Sequence, residues 1–438
     1  MMWDESKLKY DKNEEYDVAF GKEYSERSGK TEVYSYSNMS QDKRLISLAK
    51  VIIAESLKAD ASDIKIYRYD STNAFVELRI GGQMVKTRRI DIRAVNGLVQ
   101  AFKRLAGMDV SETTSKNTGD GRISFEAGGV PYNLRVNSIP SIHSETLSIR
   151  IIKSDDSFNN LEYLGLPEFV LERFRKVLSQ SEGMVVLSGS TGSGKTTTMY
   201  TALKEIIRTT RGVKNIHTIE DPVESLIPGT VQNEVNEVDN FTYAQGVRGL
   251  LRQNPDIILV GEIRDSASAV TALRAATSGH LLFTTIHTNN ALTVPMVMQQ
   301  YGLKKNEIAS ALQMVLNQRL VGKLCDNCKK IGSITTKDLN YLTELGLDTQ
   351  NIVRVAERNK EGCELCDHTG TKGKVLIVEM LDADRNFDEV LNISNNDYEL
   401  KVNLEKSERK SYYSKEEDVE RHLREMSIDF KTAEEVIR

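Results

Sequence analysis

The stretch Val185–Tyr200, VVLSGSTGSGKTTTMY, limits the folds open to this chain more than any other. An apolar run reads as a buried strand, stops at glycines and hydroxyl residues, and gives way to a helix-forming segment. Gly189, Ser190, Thr191, Gly192, Ser193, Gly194, Lys195 and Thr196 satisfy G-x-x-x-x-G-K-[ST] at every position. Glycines there let the backbone curl until its N–H groups converge on phosphate oxygens, and the next helix turns its N-terminus to the anion. Lys195 is placed for the β- and γ-phosphates and the Thr196 hydroxyl for Mg2+; Thr197 completes the candidate nucleotide-binding set. A glycine-rich turn without ligand is the bland alternative. The strand before and the helix after favour a bound nucleotide.

Around this loop, short apolar runs (VVLSG, NIHTI, DIILVGE, HLLFTTI) alternate with helical stretches. That alternation implies a parallel sheet with helices on both faces, an α/β domain. A chain of 438 residues exceeds one ordinary core and implies two or three domains. Upstream, QDKRLISLAKVIIAESLK places Leu45, Leu48, Ile52 and Leu57 roughly on one helix face. AFVELRIGGQMV alternates around a Gly-Gly pair that predicts a hairpin or bulge. VNGLVQAFKRLAGM reads as a second helix, and GRISFEAGGVPYNLRVNSI and ETLSIRIIK as strands joined by turns. The expected organisation is a disordered or linker segment over 1–42, an α+β domain over 43–153, a polar linker over 154–160 (SDDSFNN), the α/β domain over 161–382, and a charged, helical C-terminal segment over 383–438.

Composition excludes some functions. Hydrophobic content of 39% and charged content of 28% describe a globular protein. A net charge of −5 argues against a nucleic-acid partner, which usually calls for a basic excess. No apolar run reaches the eighteen or so residues of a membrane span, and MMWDESKLKYDKNEEYD has no apolar signal region. The expectation is a cytoplasmic protein that meets a membrane only through partners.

Three further clusters carry chemistry. In DIILVGEIRD, Glu262 follows a buried strand, and a carboxylate at such a strand end beside the loop can hold Mg2+ and order water. In HTIEDPVE, Glu220, Asp221 and Glu224 crowd after another strand; their repulsion suggests a divalent cation or a polarised water, against solvated acids in a proline-stopped loop. His287 ends HLLFTTIH, where it could sense a γ-phosphate or simply be structural. Cys325-x-x-Cys328 and Cys363-x-x-Cys366 have the paired spacing of a tetrahedral zinc site. Four thiolates leave no open position, so a structural Zn2+ holding the 325–366 element is expected; four free thiols or a redox pair are the alternatives.

Together and in this order, these motifs resemble the secretion ATPases that power type II secretion and type IV pilus assembly. Gly189–Thr196 is similar to that family's phosphate loop, TIEDPVE to its aspartate-rich box, LRQNPDIILVGEIRD to its unusual Walker B strand, and GHLLFTTIHTN to its histidine box. ASDIKIYR, FVELRIGG and GDGRISF resemble segments of the family's second N-terminal domain. The resemblance runs over about 43–382. It implies a RecA-like P-loop ATPase domain preceded by a smaller PAS-like α+β domain, ATP as substrate, and a homo-hexamer. Such a ring acts on an inner-membrane platform protein, and through it on pilin, from the cytoplasmic side. By the resemblance Glu262 is the Walker B acid, Glu220 and Glu224 are the candidates to polarise water, and His287 is the histidine-box residue. Arg135 and Arg150 match the arginines that reach the nucleotide from the first domain, with Arg122 a further candidate; the sequence does not choose among them. The tetracysteine element is typical of assembly rather than retraction ATPases. Lys65, Gly81, Ser144 and the GTKGK segment depart from the family pattern and point to a divergent plasmid- or virulence-type pilus system, such as the bundle-forming pilus. The competing readings are a DNA-translocating or conjugation-type ATPase of the same core fold, and a nucleotide-gated scaffold without catalysis.

Overall fold

A computed structural model describes residues 18–20, 41–80, 83–108, 110, 118–128, 130–153, 160–236, 241–350, 352–366, 368–384, 386–407 and 410–438. Most of the expected 1–42 segment, Gly81, and the 154–160 linker apart from Asn160 lie outside them. The chain divides into two compact units, Met1–Asp155 and Asp156–Arg438.

The first unit comprises β1 (Val18–Phe20), α1 (Gln41–Lys58), β2 (Asp63–Arg68), β3 (Ala74–Ile80), β4 (Gln83–Ile90), α2 (Ile92–Leu105), β5 (Gly119–Ala127), β6 (Val130–Pro140) and β7 (Glu145–Lys153). Its strands form a seven-stranded sheet in the order β1-β5-β6-β7-β2-β3-β4, antiparallel throughout. In α2 the buried residues Val95, Leu98, Val99 and Phe102 recur at helical spacing, and Asp91 caps the helix by accepting from the Arg93 N–H. That stripe and Ile52 and Ile53 of α1 bury one sheet face with Ile64, Leu134 and Ile149. Along β6, Leu134 and Val136 are buried while Arg135 between them is exposed, so the other face is polar.

The second unit opens with a 3-10 turn (Leu161–Leu164) and continues with α3 (Glu168–Leu178), β8 (Gly183–Ser188), α4 (Lys195–Thr209), β9 (Ile216–Glu220), β10 (Val231–Glu234), α5 (Tyr243–Leu250), β11 (Ile257–Val260), α6 (Ser266–Ala276) and β12 (Leu281–Ile286). Then follow α7 (Thr293–Gln300), α8 (Lys305–Ala311), β13 (Leu312–Leu324), β14 (Lys330–Ser333), α9 (Thr336–Glu344), β15 (Arg354–Glu357), β16 (Thr371–Asp382), α10 (Phe387–Ile393), α11 (Asp397–Glu405), β17 (Tyr412–Tyr413), α12 (Lys415–Arg424) and α13 (Phe430–Ile437). Eight strands form one sheet in the order β10-β9-β11-β12-β8-β13-β16-β17. The first six run parallel to one another; β16 and β17 are antiparallel additions. Every residue of β8, β11 and β12 is buried. Met184, Val186, Ile258 and Val260 enter one apolar layer, Val185, Leu187, Ile257 and Leu259 the other. Burial on both faces is why these strands read as continuous apolar runs. The 383–438 segment is helical as expected but also supplies β17 at the sheet edge, and Asp418 of α12 accepts from the Val378 N–H of β16 at 2.8 Å. Among the described residues, no helix is long and apolar enough to cross a membrane.

Candidate functional site

The phosphate loop joins β8 to α4 at the carboxyl ends of the parallel strands. Gly189, Gly192 and Gly194 have φ of 133°, 78° and 92°, the left-handed region that side chains resist. At Gly189 the need is also steric: a Cβ there would lie 2.3 Å from the Gln318 carbonyl oxygen. Ser190, Thr191 and Thr197 are exposed, Thr196 is half-buried in the first turn of α4, and Ser193 is buried. The Lys195 ammonium donates to the carbonyls of Gly189 (2.8 Å) and Ser190 (2.9 Å). Burial pushes its pKa down, and the negative charge of Glu262 partly opposes this. Two residues unmarked by the motif support the loop from β13: Asn317 donates to the Ser188 hydroxyl at 2.9 Å, and Gln318 to the Thr198 hydroxyl at 2.8 Å. Their sequence signal is the polar run Asn317-Gln318-Arg319 inside the strand LQMVLNQRLV.

Glu262 lies two residues beyond β11, but β11 is not the neighbour of the loop strand. β12 runs between them. Two strand spacings amount to about 10 Å. His287, just past β12, spans that gap: its Nδ1 is 3.3 Å from the Gly189 carbonyl and its Nε2 3.7 Å from a Glu262 oxygen. Both ring nitrogens therefore face acceptors. Glu262 is also paired with Arg264, whose guanidinium lies 3.8 Å from Asp221. The Glu262 partner is two residues away in sequence, whereas the Asp221 contact depends on tertiary placement. The Thr285 hydroxyl donates to the Gly261 carbonyl at 2.8 Å and ties the Glu262 segment to β12.

Glu220 ends β9 and is 4% exposed. One carboxylate oxygen accepts from Tyr200 of α4; the other accepts from the Thr218 hydroxyl at 2.6 Å and the Gln232 amide at 3.3 Å. Burial pushes its pKa up, assisted by the like charge of Glu224, while those three donors pull it down. Glu224 meets the same tyrosine through its backbone N–H at 3.1 Å.

Arg122, Arg135 and Arg150 belong to the first unit, whereas the loop, the carboxylates and His287 belong to the second. The three arginines stand directly opposite one another on β5, β6 and β7, and the row continues to Asp63 on β2 and Arg79 on β3. Asp63 pairs with Arg150 at 3.3 Å and with Arg79 at 3.1 Å, and Asp120 lies 4.0 Å from Arg135. Arg122 thus shares one surface with the other two candidates.

Cys325, Cys328, Cys363 and Cys366 converge, with all four sulfurs within 4.8 Å of one another. The separations Cys325–Cys363, Cys328–Cys366 and Cys363–Cys366 are 3.9, 3.8 and 3.7 Å. A tetrahedron with Zn–S bonds of about 2.3 Å has edges of about 3.8 Å, so the four thiols fit zinc. Burial pushes the Cys366 thiol up, but the backbone N–H groups of Cys363 and Gly370, together with the Cys363 and Cys328 side chains, bring it down to about 6. For Mg2+, the Thr196 hydroxyl and the carboxylates past β9 and β11 are the hard oxygen donors that this cation takes.

Residues 38–438 match the family described as Type II/IV secretion system protein. The chain belongs to that family. It is 36% identical over 376 residues to the Type IV pilus assembly ATPase PilB of Thermus thermophilus, covering 86% of this chain and 41% of that protein. It is 35% identical over 344 residues to the Type II secretion system protein E of Aeromonas hydrophila, covering 78% and 66%. The chain therefore spans less than two thirds of the length of these relatives. Among solved structures, the Legionella pneumophila ATPase DotB superimposes with a TM-score of 0.62 at 20% identity, covering 92% of this chain and 97% of DotB. The pilus retraction motor PilT with bound ADP gives 0.61 at 23%, covering 88% and 95%. These likenesses show a shared mixed α/β ATPase fold.

Proposed function

We propose that this chain hydrolyses ATP to ADP and phosphate as a homo-hexameric motor, driving assembly of a type IV pilus or a type II secretion pseudopilus. The observation that carries the reading is the meeting of Lys195, Glu262 and His287 around one glycine loop. The loop N–H groups and Lys195 would hold the phosphates, and Thr196 with Glu262 would hold Mg2+, which supplies charge neutralisation when bound. Glu220 and Glu224 are the candidates to order the attacking water. His287 would register the phosphate end of the nucleotide through the loop carbonyl it touches. Arg135 and Arg150 are the proposed arginines for the transition-state charge, joined by Arg122 in their row. The antiparallel sheet covered by helices on one face supports reading the first unit as PAS-like. A structural Zn2+ on the four cysteines would close the 325–366 element. The names of the relatives, assembly ATPases and secretion proteins E, support an inner-membrane platform protein as the partner, pilin as the indirect cargo, and a cytoplasmic, membrane-peripheral location.

The test is ATP turnover of the purified chain beside Glu262→Gln, with particle mass from light scattering. The expected result is Mg2+-dependent hydrolysis by a hexamer, lowered at least about 100-fold in the variant. A monomer that binds ATP without turnover, or undiminished turnover by Glu262→Gln, would overturn the proposal.

A further inference from the structure

The contacts of the Tyr200 hydroxyl have no part in the roles proposed so far. Tyr200 lies on α4, the helix whose N-terminus is the phosphate loop, and is 6% exposed. A buried tyrosine needs a partner for its hydroxyl, and any nearby carbonyl would serve. Here both partners belong to one acidic segment instead. The hydroxyl donates to Glu220 and accepts from the backbone N–H of Glu224, with that of Ser225 also in reach. Burial, then the adjacent Glu220 charge, push the phenol pKa upward, so the group stays a donor to Glu220.

The same contacts define what Glu220 can do. Both its oxygens are engaged, by Tyr200 on one side and by Thr218 and Gln232 on the other, and almost none of it reaches solvent. A group that orders an attacking water needs an oxygen facing that water. Glu220 has the surroundings of an anchor.

We propose that Tyr200 is a positioning residue: it fastens the phosphate-loop helix to the acidic segment Glu220–Ser225, with Glu220 as the anchor and not the water-ordering carboxylate. A helix is stiff over two turns, so a nucleotide that shifts the loop would shift the segment carrying Glu224 with it. This rests on the reading that the loop of α4 binds nucleotide.

Tyr200→Phe removes one oxygen and keeps the ring. Amide hydrogen exchange reports the geometry without any turnover. The amides of Glu224 and Ser225 should exchange about tenfold or more faster in the variant, while those of β8 and β12 stay as in the wild type. Turnover of ATP should fall about tenfold or more, with affinity for a fluorescent ADP changed less than about twofold. Adding Glu220→Gln to Tyr200→Phe should cost little more than either change alone, since the two act as one unit. Unchanged exchange over 221–225 would overturn the proposal. So would a variant in which turnover, ADP affinity and thermal midpoint all fall together, the mark of a core residue only. If the wild-type chain hydrolyses no ATP, the motor reading fails, and the exchange measurement still decides the role of Tyr200.

Discussion

The two sheets of this molecule solve opposite problems. The central strands of the eight-stranded sheet are sealed on both faces, and the candidate site gathers at their carboxyl ends. The seven-stranded sheet is sealed on one face only, and its charged residues lie across the middle of the open face. In the first arrangement the scaffold and the site are different residues. In the second they are alternate residues of the same strands, so Arg135 is flanked by core positions Leu134 and Val136. A substitution inside the parallel sheet should therefore act on stability, and one on the open face on function alone.

Phe283 gives the largest expected effect. It is fully buried on β12, directly opposite Val185 and Leu259. Phe283→Ala should destabilise the second unit by about 3–5 kcal/mol, read from the shift of its denaturant transition. Cys325→Ser should come next. Metal content by atomic absorption should drop to less than half of the wild-type value, with a fall in the midpoint of the same unit and no direct loss of a catalytic group. His422 gives a smaller, pH-dependent effect. It is buried on α12, and burial, followed by the neighbouring Arg421 charge, lowers its pKa below the ordinary histidine value. The unfolded chain then binds this proton more readily. The contribution of His422 is complete above a pH of about 6.5 and is lost as pH falls from there through the lower folded value, at no more than about 1.4 kcal/mol per pH unit. Thermal midpoints at successive pH values should show this slope, and His422→Gln should flatten it. Arg135→Ala should have the smallest effect on stability, within about 0.5 kcal/mol, while lowering ATP turnover. A loss of more than about 1 kcal/mol would mean that the charged row helps hold the sheet, and the contrast between the two faces would fail.

The contrast also governs what could be read in advance. The phosphate loop and the buried strands of the second unit are local signals: a glycine pattern and unbroken apolar runs show where they are whatever surrounds them. The order of those strands is not local. Nothing in DIILVGEIRD or HLLFTTIH says that β12 separates β11 from β8, so the bridging position of His287 emerges only with the sheet assembled. Asn317 and Gln318 escaped for the same reason, since their partners Ser188 and Thr198 lie more than a hundred residues away in sequence. In the first unit, alternation located the strands, and the resemblance to the secretion ATPases pointed to the three candidate arginines. Their alignment into one row depends on strand register, set by pairing among β5, β6 and β7. The two-residue strand β17 carries too short a pattern to be seen.

β13 imposes an order of events on the newborn chain. This thirteen-residue strand pairs with β8 on one side and β16 on the other, and its Asn317 and Gln318 brace the loop that follows β8. A nascent polypeptide that has emerged only as far as the cysteine element has the glycine loop but lacks Thr371–Asp382, the second neighbour of the strand that braces it. The support of the glycine loop is complete only when residue 382 has emerged, so a fragment released earlier carries every residue of the motif on an unfinished support.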